Sequence, residues 1–142
     1  MGTVWSPKAT WKTARSGSPE AYAPRLGRNG TFKDKKVLFQ VAYGDGTVPN
    51  PTSAEILRAG GLYEKAWVYR NDRTPNAANN PHGFLLDPRF APATQQGQAQ
   101  VAAFLGDGEV VDPDGPGPVW EVPISDPALL LPLNYPSPAT RP

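Results

Sequence analysis

The stretch Lys36-Val37-Leu38-Phe39-Gln40-Val41-Ala42-Tyr43-Gly44-Asp45-Gly46 decides the fold. Its centre is short, β-branched and aromatic, nearly continuous in apolarity, and it stops abruptly at a Gly-Asp-Gly turn. Continuous apolarity over so few residues predicts a strand at 37–43 buried on both faces, as in a parallel sheet covered by helices. An aspartate leaving such a strand between two glycines stands at the sheet edge, where the glycines permit tight turns and close approach.

Working outward, Thr47-Val48-Pro49-Asn50-Pro51 leads into Ser53–Ala59, where Ala54, Ile56, Leu57 and Ala59 are apolar and Gly60-Gly61 follows. These residues predict a short helix over 53–59, capped by Thr52 or Ser53 and closed by the glycines. Ala66-Trp67-Val68-Tyr69 predicts a second strand, bounded by a polar Asn- and Ala-rich loop. Strand, helix and strand in that order imply a right-handed βαβ unit and a parallel sheet. The spacing of Ala99, Val101, Ala102, Phe104 and Leu105 predicts a further helix over 94–105, ended by Gly106. Val119–Val122 has the composition of an edge strand.

The flanks are different. Residues 1–34 mix Gly, Pro, Ser and basic residues without a sustained period, although Trp5, Trp11 and Tyr22 are apolar enough to rest on a core. They read as an irregular N-terminal segment with at most one helical turn. The 18 prolines concentrate near the other end, and residues 107–142 read as a turn-rich and proline-rich tail. The expected organisation is an irregular segment at 1–34, an α/β unit at 35–106 and the tail at 107–142.

Composition narrows the chemistry. The chain of 142 residues contains no cysteine, which excludes a disulfide framework, a thiolate zinc site and a cysteine nucleophile. Fourteen Lys and Arg against 13 Asp and Glu leave a net charge of +1, too small a field to indicate nucleic acid or another polyanion as partner. No apolar run approaches the roughly 20 residues of a membrane span. No cofactor motif is present.

Two short strings carry candidate chemistry, each just beyond a predicted parallel strand, where open α/β sheets build their sites. One is Tyr43-Gly44-Asp45-Gly46-Thr47-Val48-Pro49; the other is Asn80-Pro81-His82-Gly83-Phe84, which holds the only histidine. Alone, the first is an ordinary Asp-Gly turn and the second an ordinary loop histidine. Together they place a carboxylate and an imidazole at one sheet edge.

The strings Gly-Asp-Gly-Thr-Val-Pro-Asn-Pro and Pro-His-Gly-Phe-Leu resemble the last third of bacterial α/β-hydrolase-fold lipases and esterases. In that family the chain order of the catalytic residues is Ser, then Asp or Glu, then His. The resemblance covers roughly residues 36–105. It implies a partial hydrolase-like sheet, Asp45 as triad acid, His82 as general base, and an ester or lipid as substrate of the complete enzyme. No Gly-x-Ser-x-Gly elbow occurs: Ser16-Gly17-Ser18-Pro19 lacks the flanking glycines, and no oxyanion loop is visible. The resemblance thus implies a C-terminal part whose nucleophile half is missing: a fragment of a longer reading frame, a chain whose other half is supplied by a partner, or a degenerate remnant that keeps the βαβ core.

Two other readings stand beside it. One is a non-catalytic interaction module that keeps the βαβ core and offers Pro132–Pro142 as an extended segment. The other is calcium binding by Asp107, Glu109, Asp112 and Asp114, whose spacing departs from the twelve-residue loop and whose simpler reading is acidic turns. Trp67, Tyr69, Phe84 and Phe104 could line an acyl pocket, or simply form core.

Overall fold

A computed structural model describes residues 17–27, 32 and 34–121. The strings at Trp5, Trp11 and most of the proline-rich tail lie outside the described residues. The elements are α1 (Ala23–Leu26), β1 (Phe39–Ala42), α2 (Asn50–Gly60), β2 (Ala66–Tyr69), α3 (Ala93–Asp107) and β3 (Trp120–Glu121), joined by several 3-10 turns. The sheet order is β1-β2-β3. β1 and β2 are parallel with Val41 opposite Val68, while β3 runs antiparallel to β2 with Trp120 opposite Tyr69. The architecture is therefore α/β with a small mixed sheet, not a wholly parallel one, because the edge segment near Trp120 returns alongside β2.

Strand alternation sorts the core into two layers. Val41, Ala66 and Val68 face Ala23, Ala54, Leu57 and Leu62, with Phe39 and Tyr43 half-buried at the margin. Ala42, Trp67 and Tyr69 face the other way, onto Phe84, Phe90, Ala93 and Trp120. One layer is aliphatic under α2. The other is aromatic, with the Tyr69 ring 5.0 Å from that of Phe84 and 5.9 Å from that of Trp120. Trp67, Tyr69 and Phe84 are thus core, and Phe104 is half-buried on α3.

Several boundaries differ from those the sequence predicts, each for a physical reason. β1 is shorter than 37–43, although the Tyr43 amide still donates to the Tyr69 carbonyl at 2.8 Å. α2 begins at Asn50 rather than Ser53, and neither Thr52 nor Ser53 caps it. Pro51 falls in the first turn, where its missing N–H is no loss. Asn50 overrides the usual aversion of a pre-proline residue to helical backbone. Its fully buried carboxamide donates to the Ala42 carbonyl at 2.7 Å and accepts from the Gly44 amide at 2.8 Å, holding β1 to the helix start. Gly61 closes the helix in the left-handed region, φ 65°.

α3 runs through Gly106 and ends at Gly108, φ 68°, whose amide donates to the Phe104 carbonyl at 3.0 Å. Gln40, the polar residue of β1, reaches this helix: its amide donates to Gly97 O at 3.0 Å and to Gln100 Oε1 at 2.8 Å. Buried polar groups tolerate the core only when bonded in this way. A Cβ at Gly97 would meet Leu85 at 2.7 Å, so the glycine lets α3 lie close to the base-bearing loop. Among the described residues no helix is long and apolar enough to cross a membrane.

Candidate functional site

The acid loop follows β1. Gly44 adopts φ 88°, a conformation open to glycine, and turns the chain so that Asp45 lies at the C-terminal edge of the sheet. Asp45 Oδ1 accepts from the Thr47 amide at 2.8 Å and the Val48 amide at 2.9 Å, an Asx-type turn that fixes the carboxylate. The second oxygen, Oδ2, faces away from that turn.

The base loop leaves β2 and reaches the same edge through successive turns. Pro81 is buried and starts a 3-10 turn over Pro81–Gly83, and Phe84 behind it is buried against Tyr69 and Trp120. Thr94 Oγ1 donates to Phe84 O at 2.8 Å, tying this anchor to α3. In the chain His82 lies between the buried Pro81 and the buried Phe84, and its ring meets Asp45.

His82 Nδ1 lies 2.9 Å from Asp45 Oδ2. The His82 side chain is 48% exposed and that of Asp45 13%, so the carboxylate is largely enclosed while the ring reaches solvent. An ionised carboxylate only accepts, so in a neutral imidazole Nδ1 carries the proton and Nε2 presents its lone pair. Nε2 has no hydrogen-bond partner among the described residues. This arrangement can orient an imidazole, stabilise it when it gains a proton, and offer Nε2 to an incoming donor.

Asn80 joins the two loops, accepting from the Gly46 and His82 amides and donating to Thr47 Oγ1. Sequence reasoning assigned no function to Asn80 or Asn50. The available signal was an asparagine before proline in both strings, a residue type that satisfies neighbouring backbone groups.

Nearby, Arg70 at the end of β2 is buried and bound to Asp72 at 2.7 Å and to Glu121 at 2.6 Å, with its guanidinium 4.9 Å from the Tyr43 ring centroid. The hydrogen bond from Arg70 holds the Asp72 carboxyl below its ordinary value. This cluster ties the end of β2 to β3.

Within the acidic stretch, Asp112 and Asp114 accept backbone amides and shape turns. Asp112 Oδ1 accepts from the Asp114 and Gly115 amides, and Asp114 Oδ2 from those of Val119 and Trp120. Among the described residues there is no group of three His, Asp or Glu side chains that could hold a metal ion. No protein-family model, no curated protein and no solved structure matches this chain.

Proposed function

We propose that this chain supplies the acid and base of a serine-hydrolase triad acting on carboxylic esters or lipids. The observation that supports the reading is the 2.9 Å contact between Asp45 Oδ2 and His82 Nδ1 at the end of two parallel strands. The nucleophile in this reading is a serine on a Gly-x-Ser-x-Gly turn contributed by polypeptide outside the described residues, together with the oxyanion donors.

The residue types then define the steps. His82 Nε2 takes the proton of the serine hydroxyl as the serine oxygen bonds to the acyl carbon, and Asp45 stabilises the imidazolium. The same proton passes to the departing alkoxide as the ester C–O bond breaks, leaving an acyl-serine. Water, deprotonated by His82, attacks the acyl carbon and frees the acid while the serine regains its proton. Acid, base and nucleophile act as a unit, so the acid–base pair alone is a weak catalyst.

The test is the DNA upstream of Met1 and the polypeptide it encodes joined to this one. A continuous frame with the serine elbow is expected, as is p-nitrophenyl ester hydrolysis that falls on the order of 10⁴-fold or more in His82→Ala. The 142-residue chain by itself should hydrolyse that ester no faster than its own His82→Ala variant. A joined polypeptide without the elbow, or one indifferent to His82→Ala, overturns the reading and leaves an interaction module.

A further inference from the structure

Asp45 and His82 are 37 positions apart, the one in a loop after β1 and the other in a single 3-10 turn within the loop after β2. A single hydrogen bond between side chains at a sheet edge contributes little beyond the cost of ordering the groups that make it. That bond alone does not fix two loops.

Asn80 adds direct ties between the two loops from one carboxamide. Its Oδ1 accepts from Gly46 N at 3.0 Å in the acid loop and from His82 N at 3.2 Å in the base loop. Its Nδ2 donates to Thr47 Oγ1 at 2.9 Å. Gly46 and Thr47 are the two residues that follow Asp45, and Thr47 N is itself bound to the Asp45 carboxylate. Asn80 thus grips the acid's own turn with one hand and the base's backbone with the other.

We propose that Asn80 is the positioning residue of the Asp45–His82 pair, setting the spacing of the two loops and thereby the proton on Nδ1. The residue type follows from the bonds. Serine reaches the His82 amide within its own turn but not across to Gly46. Aspartate has the acceptor, lacks the donor for Thr47 and adds a second carboxylate beside Asp45. Glutamine is one methylene too long. Asn80 is exposed, so replacing it leaves no cavity in the core.

The inference rests on the acid–base pairing and not on ester hydrolysis, and its test needs no substrate. The chain has one histidine, so ¹⁵N labelling of histidine yields a single imidazole spectrum. At fixed neutral pH the expected wild-type signature is a protonated Nδ1 with a downfield, slowly exchanging proton. Asp45→Asn should abolish it. Asn80→Ala and Asn80→Ser should each lose the slow proton and move to mixed tautomers, with the melting temperature changed by only a few degrees. Thr47→Val, which removes one of the three ties, should accelerate exchange of that proton less than Asn80→Ala does. Retention of the wild-type signature in Asn80→Ala or in Asn80→Ser overturns the proposal; in the serine variant it would reduce Asn80 to a local cap. A wild-type chain without the signature overturns the pairing itself, whereas a failed ester assay leaves this result untouched. Should Asn80→Ala not fold, Asn80→Ser decides.

Discussion

Two aspartates of this chain begin in the same way and end differently. Asp45 accepts two successive amides, Thr47 and Val48, on one oxygen, and Asp114 accepts two successive amides, Val119 and Trp120, on one oxygen. The free oxygen of Asp45 meets His82, whereas Asp114 Oδ1 is buried with no hydrogen-bond partner among the described residues. The Asp45 bonds reach two and three residues on, the short-range chemistry of an Asp-Gly turn, whereas those of Asp114 reach five and six residues on and close a wider loop. What separates a candidate acid from a structural staple is the tertiary neighbour of the second oxygen.

The largest expected difference is chemical. If the proposed serine-bearing polypeptide is found and joined to this chain, Asp45→Asn should lower ester hydrolysis on the order of 10⁴-fold through loss of the imidazole's orientation. Asp114→Asn should leave the rate within about twofold in the same steady-state assay, since its turn retains an acceptor. A comparable loss in both variants would erase the distinction.

Stability should invert the order. Asp114→Ala leaves the Val119 and Trp120 amides without their acceptor where β3 joins the sheet, at a cost of about 2–4 kcal/mol. For a domain of this size that is a fall in melting temperature of ~10 °C or more, measurable by calorimetry. Asp45→Ala exposes the Thr47 and Val48 amides to water, which replaces the lost acceptor, so urea titration should show a loss of about 1 kcal/mol. Equal losses would mean that the acid loop is as structural as the Asp114 turn.

Asp72 offers the smallest effect and a control. Its hydrogen bond from Arg70 lowers its pKa from the ordinary 3.8, so its folded-state value lies below its unfolded one. The stabilisation it contributes is complete above about pH 4 and is lost as pH falls through the folded value. Urea midpoints should therefore drop between about pH 4 and lower pH, and Asp72→Asn should flatten that part of the profile. An unchanged profile would show that the Arg70 cluster is not coupled to folding.

Much of this was legible in the residues and some was not. The apolar run ending at Gly44 located β1, Ala66–Tyr69 was read at its observed bounds, and the Gly60-Gly61 pair closed α2. The start of α2 differs because local capping rules assign Thr52 or Ser53 to the N-terminus, while in the structure the Asn50 side chain bonds the backbone at the end of β1. The stop at Gly106 was misplaced because glycine is permissive: only its neighbours decide whether it continues a helix, as Gly106 does, or breaks it, as Gly108 does.

By itself the sequence determined the α/β class, the places of its two main strands, and the presence of an aspartate and a histidine just past them. Those follow from hydrophobic period and turn chemistry, which act over a few residues. Only the tertiary structure decided that Asp45 Oδ2 faces His82 Nδ1, that Asn80 spans both loops, that Gln40 finds Gln100, and that β3 makes the sheet mixed. These are contacts between segments tens of residues apart, and no local preference encodes a partner's position; it emerges when the aliphatic and aromatic layers pack on opposite faces of one sheet and bring the ends of β1 and β2 together.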